Sequence, residues 1–333
     1  MYRPMKGAVR HAVLALAAPW LIGSAPAEVP PGHDARIDEQ VDLADDLSAQ
    51  CAQEDDDACL RLGYIHAEGD GVPQDETRAT PFFARACHLG NAKGCTMAGL
   101  AYGNGQGVER SPEHAASYYA LACTDGEPTG CSNLGLAYVN GDGVDRDEAY
   151  AATLFTQACD AGGRAGCANL GASYSLGKGV PRDQRRAADL FRQACDRDDQ
   201  HACYNLGVLY RDGLGVRRDY RRAVSLFEQA CDVQDPAACG NLAMMVDDGR
   251  GTRKDRRRSL DLFEKACDLG EAESCFTLGR AYQTGNGRER DDRRAAALLE
   301  RTLELAPDTP SAESARKALA IARAAADQTE EDR

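Results

Sequence analysis

CDAGGRAGCANLG, residues 159–171, places two cysteines eight residues apart and follows them with Asn169 and Gly171. The same spacing recurs at 51/59, 87/95, 123/131, 195/203, 231/239 and 267/275, so the fourteen cysteines form seven pairs that advance by 36 residues. A fixed period of this size marks a stacked repeat architecture.

Other residues keep the same period. Gly-x-Gly recurs at 69/71, 105/107, 141/143, 177/179, 213/215, 249/251 and 285/287. Phe83, Tyr119, Phe155, Phe191, Phe227 and Phe263 share one register, closed by Leu299. Tyr102, Tyr138, Tyr174, Tyr210 and Tyr282 share another, with His66 and Val246 as exceptions. Each period reads as two helices. In residues 167–195, Leu170, Gly171 and Tyr174 follow three-and-four spacing, and Gly177-Lys178-Gly179 stops that helix. Asp183 then caps a second helix whose apolar stripe is Ala187, Leu190, Phe191 and Ala194. Small residues at 171 and 187 predict helices that approach closely. One such hairpin cannot bury its stripe alone, so neighbours must stack on it.

Geometry narrows the role of the cysteines. Within a continuous helix eight residues span about 12 Å, beyond the ~7 Å limit between disulfide Cα atoms. The chain must therefore reverse inside each pair. The intervening DAGGRAG, TDGEPTG and DVQDPAA are rich in Gly, Asp and Pro, as a reversal requires. The six histidines follow no period, and zinc sites usually bring thiols closer together than this. A Cys-x-x-Cys redox motif is absent. An exported chain with only paired cysteines favours oxidation. The expectation is seven structural disulfides: Cys51–Cys59, Cys87–Cys95, Cys123–Cys131, Cys159–Cys167, Cys195–Cys203, Cys231–Cys239 and Cys267–Cys275.

Export is read from the N-terminus. Arg3, Lys6 and Arg10 precede an apolar run that ends in Ala25-Pro26-Ala27, the form of a signal peptide cleaved after Ala27. Pro19, Gly23 and Pro26 break that run short of the ~20 apolar residues of a spanning helix. The predicted destination is the periplasm or the exterior, with no membrane insertion. The whole chain carries a net charge of −14. Residues 28–150 hold 23 acidic and 7 basic side chains, whereas 151–333 hold 30 and 29. This balance argues against nucleic acid, whose backbone Lys and Arg must neutralise. The clusters VRRDYRR (216–222) and TRKDRRR (252–258) read as solvated helix faces.

The unit A-x-x-L-F-x-x-A-C-D-x-G-x-x-x-G-C-x-N-L-G-x-x-Y-x-x-G-x-G-V-x-x-D resembles the Sel-one-like repeat, over residues 51–303 and seven times in succession. Its cysteine pair is similar to the cysteine-rich, Hcp-like branch of secreted bacterial proteins. The resemblance implies an all-α fold: a right-handed α/α solenoid related to tetratricopeptide arrays, with one disulfide per unit and first helices lining a concave surface. Ala243, Val246 and Ser111 depart from the pattern. The expected organisation is a signal peptide 1–27, a linker 28–36, a capping helix 37–54, seven repeats 55–303, a second capping helix 304–328 and an acidic tail 329–333.

Two residues after the second cysteine stand Asn133, Asn169, Asn205 and Asn241, with Arg61, Met97 and Thr277 in that register elsewhere. An Asn amide can bond both the N–H and the C=O of an extended backbone, so such a row could hold a peptide without reading its sequence. It could equally bond the backbone of its own or the next helix. Beside the row, Leu100, Leu136, Ala172, Val208, Met244 and Arg280 vary from unit to unit. The reading is a non-enzymatic, monomeric scaffold for a protein or extended peptide, with no cofactor and no metal. The alternative is a β-lactamase or penicillin-interacting enzyme, suggested by Ser314-Ala315-Arg316-Lys317, which matches S-x-x-K. The companion K-T-G and S-D-N motifs are missing. Gly171 to Gly177-Lys178 has one residue too many for a phosphate loop.

Overall fold

Each half-period becomes a helix: first helices end at a left-handed glycine, and second helices begin at a capping side chain. The computed structural model describes residues 33–331. Helix α1 (His33–Ala52) leads into seven hairpins. These are α2 (Asp56–Glu68) with α3 (Glu76–His88), α4 (Ala92–Asn104) with α5 (Pro112–Thr124), and α6 (Pro128–Asn140) with α7 (Glu148–Asp160). Then come α8 (Arg164–Leu176) with α9 (Gln184–Cys195), α10 (Gln200–Asp212) with α11 (Tyr220–Asp232), and α12 (Pro236–Asp248) with α13 (Arg256–Asp268). The seventh is α14 (Ala272–Thr284) with α15 (Asp292–Leu305), and α16 (Pro310–Glu331) closes the stack. The described residues contain no strand.

The ends differ in detail from the sequence expectation. The predicted signal peptide, 1–27, lies outside the described residues. Helix α1 starts at His33 rather than 37, directly after Pro30-Pro31-Gly32, and stops at Ala52 because Glu54 turns to φ 69° and Asp55 already caps α2. Helix α15 runs to Leu305, and α16 extends through Glu331, into the stretch expected as a tail.

The same caps recur in every hairpin. Asp75, Asp147, Asp183, Asp219, Asp255 and Asp291 accept from backbone N–H groups at the start of the second helix, and Ser111 takes that place in α5. The first Gly of each Gly-x-Gly ends a first helix in the left-handed region, as at Gly177 with φ 71°. In hairpins one, two and five the residue before the cap reaches back to the end of that helix. Arg110 Nε donates to the Gly103 carbonyl at 3.0 Å, and Gln74 Nε2 donates to that of Ala67 at 2.9 Å.

The second Gly of each pair has a different task. A methyl on Gly215 would overlap the Gln184 carbonyl at the start of α9, and one on Gly251 would overlap that of Tyr220 at the start of α11. The loop of each hairpin therefore rests on the second helix of the hairpin before it. Inside a hairpin, Gly171 lets the Phe191 ring lie where a Cβ would come within 2.9 Å of it. Phe191 is buried there, worth about 2–3 kcal/mol of apolar burial. Tyr174, in the second shared register, is half-buried. It clasps the residue twelve positions on. Tyr102 meets His114 with ring centroids 5.2 Å apart, and Tyr138 meets Tyr150 at 4.7 Å. Tyr174 and Tyr210 accept from Arg186 and Arg222 at 3.1 and 2.9 Å.

All seven expected disulfides are present, with Cα–Cα distances of 4.4–4.7 Å, and no described cysteine is free. Each joins the end of one second helix, or of α1, to the start of the next first helix. Cys167, Cys203, Cys239 and Cys275 are fully buried.

Candidate functional site

First helices approach one another across hairpins (α4–α6, α6–α8 and α14–α16), whereas among second helices only α3–α5 does so comparably. The four Asn residues sit at one position of α6, α8, α10 and α12, two residues after a buried cysteine, and all four are half-buried. The disulfide and the helix start fix where each amide emerges.

The four are not equivalent. Among the described residues, the side chains of Asn133, Asn169 and Asn205 make no intramolecular hydrogen bond, so three consecutive amides keep both donor and acceptor open. Asn241 is engaged on both sides. Its Nδ2 donates to the Ala237 carbonyl at 2.8 Å and to Tyr204 Oη at 3.4 Å, and its Oδ1 accepts from Arg211 Nη1. Arg211 is itself oriented by Asp212, with Nε–Oδ1 at 2.7 Å and Nη2–Oδ2 at 2.8 Å. Burial, with the Asp235 charge next, holds the Tyr204 phenol above its ordinary pKa, so the hydroxyl keeps its proton.

The sequence carries the reason for this split. Arg211 stands thirty residues before Asn241, and the equivalent positions before Asn133, Asn169 and Asn205 are Gly103, Val139 and Ser175. None of these three can reach forward with a cation. One turn beyond the open amides lie Leu136, Ala172 and Val208, all half-buried, whereas beyond Asn241 the exposed Met244 follows. Hairpins three to five thus offer alternating amide and apolar surface. Outside them the register holds the exposed Arg61, Met97, and Thr277, whose hydroxyl bonds back to Glu273 at 2.9 Å.

The S-x-x-K string has a different setting. Ser314 lies exposed on α16, and Lys317 Nζ is paired with Glu313 at 2.7 Å on an open surface. No groove gathers these groups around a substrate. Among the described residues, no cluster of His, Cys, Asp and Glu could hold a metal ion, and no helix is long and apolar enough to cross a membrane.

The Sel1 repeat pattern matches residues 56–91, 92–127, 128–163, 164–199, 200–235, 236–271 and 272–306. Comparison with curated proteins found no match. Among solved structures, the chain is similar to a protective antigen of uropathogenic Escherichia coli with an SLR fold, at 28% identity and a TM-score of 0.70. That match covers 78% of this chain and 56% of the antigen, so the chain spans only about half of that relative. A Sel1 repeat protein from Oxalobacter formigenes shares the fold at 23% identity and a TM-score of 0.66, covering 73% of this chain and 96% of that one. Cysteine-rich protein B of Helicobacter pylori is 33% identical over 40% of this chain and 97% of its own, with a TM-score of 0.34.

Proposed function

The chain belongs to the Sel1 repeat family, and on that premise we propose that it is an exported, non-enzymatic scaffold that holds an extended segment of a protein partner in its groove. A Sel1 repeat solenoid suits protein binding. Seven disulfides mark an oxidising, non-cytoplasmic setting, which agrees with the leader read at residues 1–27. The observation that carries the binding site is the run of three open amides, Asn133, Asn169 and Asn205, each followed by an apolar neighbour. An amide that is half-buried and unbonded gains most when a strand's backbone supplies the missing partners. Disulfides hold the junctions between hairpins, so little ordering is needed on binding. The paired, exposed Lys317 beside Ser314 lends the hydrolase alternative no support.

The site is tested with a displayed library of random extended peptides and the purified, oxidised chain. Each backbone hydrogen bond contributes about 1 kcal/mol, so Asn133→Ala/Asn169→Ala/Asn205→Ala is expected to weaken selected peptides tenfold or more. Asn241→Ala is expected to leave their affinity unchanged and to lower stability instead, because it removes the bonds to Arg211, Tyr204 and the Ala237 carbonyl. Equal loss from both variants would place the peptide elsewhere.

A further inference from the structure

The loop edge of the stack, from each helix-ending Gly to the third residue of the following helix, divides by charge. In hairpins one to three it comprises residues 69–78, 105–114 and 141–150, with 3 basic and 9 acidic side chains. In hairpins four to seven it comprises 177–186, 213–222, 249–258 and 285–294, with 18 basic and 6 acidic. Of those 18, all but Arg256 and Arg288 are exposed. The chain as a whole is strongly acidic, so this is a local concentration of positive charge. The edge is physically continuous, because the loops at Gly215 and Gly251 rest on the helix starts of the preceding hairpins.

The Arg-Arg pair that opens each second helix here has two roles. Its second member is held by the fold. Arg186 and Arg222 stack over Tyr174 and Tyr210, each 5.4 Å from the ring centre, and Arg294 over Tyr282 at 4.8 Å. Where Val246 replaces the Tyr, Arg258 pairs with Glu228 at 2.7 Å instead. The first members Arg185, Arg221 and Arg257 are exposed and, among the described residues, have no side-chain partner. The same is true of Arg217 and Arg253 in the loops. At hairpin five the edge folds into a cleft lined by Tyr210, Arg217, Arg218, Tyr220, Arg221 and Arg222.

We propose that this edge of hairpins four to seven is a second docking surface, and that its occupant is an acidic polypeptide segment. The arginines stand on successive second helices, α9, α11, α13 and α15, so they form separate columns along the stack. A chain rich in carboxylates can present an acid to each column in turn. The planar guanidinium fork matches a carboxylate in bidentate fashion. A second copy of this chain is a poorer occupant, because much of its acidic edge already bonds within its own chain. Asp75 and Asp147 cap helices, Glu148 pairs with Arg146, and Glu76 accepts from Gln106 at 3.3 Å. The surface is separate from the Asn row and depends on side chains that the row does not use.

Labelled poly-glutamate is the probe, titrated into the oxidised full-length chain by fluorescence anisotropy. Binding is expected at low ionic strength and is expected to fall steeply in 0.5 M salt, where screening is almost complete over a few ångströms. Arg185→Glu/Arg221→Glu/Arg257→Glu should weaken it at least tenfold. These positions are in the first helical turn, where Glu is favoured by the helix dipole, so the variant keeps its fold by circular dichroism. The Asn133/Asn169/Asn205→Ala variant should bind the probe as the parent does. The proposal is overturned if the parent does not bind, if the reversal variant binds equally well, or if the Asn variant loses the probe. It is also overturned if a polyphosphate or sulfated polysaccharide of equal charge displaces poly-glutamate more effectively, or if sedimentation shows salt-reversible self-association that the reversal variant abolishes.

Discussion

Gly215→Ala is expected to lower the unfolding free energy by about 3 kcal/mol. Two costs combine. The residue sits at φ 67°, where an L side chain costs about 1–2 kcal/mol. The new Cβ also overlaps the Gln184 carbonyl, and overpacking against a fixed group typically costs about 1–3 kcal/mol. Gly162→Ala separates the two. Its φ is 84°, but nothing lies within 4 Å of the added methyl, so only the conformational cost of about 1 kcal/mol is expected. Chemical denaturation of both variants measures the difference. Because hairpins couple only to their neighbours, the Gly215 variant should also broaden the transition as the fourth and fifth hairpins lose their contact. Equal losses in the two variants would show that the loop does not bear on the preceding helix.

Reduction of the disulfides is expected to have the larger total effect. Each bridge closes a separation of 8 residues, for which the chain-entropy relation gives about 2.5 kcal/mol. Replacing one pair, Cys159→Ser/Cys167→Ser, should lower stability by about that amount. Full reduction removes seven such constraints, which together exceed the ~5–15 kcal/mol by which folded domains are usually stable. The reduced chain is therefore expected to lose most of its helical signal at 37 °C, and reoxidation should restore it. A melting temperature unchanged by reductant would mean that apolar packing alone carries the stack.

The parts of this structure that repeat were legible from the sequence, and the parts that depend on one neighbour were not. The cysteine period required a chain reversal inside each pair, the Gly-x-Gly marked the end of the first helix, and the capping Asp marked the start of the second. Those signals are local and occur several times over. The Asn row was visible too, but its division was not. Asn241 is closed by Arg211, a residue in the preceding hairpin, and the row alone gives no reason to look thirty positions back. The Tyr register was equally plain, yet its pairing with the residue twelve positions on needs the hairpin to close first. Charge behaved in the same way. Two of the basic clusters stood out as strings, and each taken alone reads as a solvated helix face. Stacking the hairpins sets them in one line with hairpins four and seven, and beside an acidic line from hairpins one to three. The ends of the solenoid fell a few residues away from expectation because capping helices have no repeat to fix their limits.

The disulfides never reach beyond one junction, and this bears on how the chain matures. Cysteines can pair in roughly a hundred ways when there are eight of them, and fourteen offer vastly more. Here each thiol's partner lies eight residues away, close enough to be found before the rest of the chain has folded. Oxidation can therefore proceed in order from the leading end, with little need for reshuffling. Loss or gain of any 36-residue segment also rejoins the remaining cysteines in the same spacing. The number of hairpins is free to change without leaving an unpaired sulfur, so groove length can be altered independently of redox chemistry.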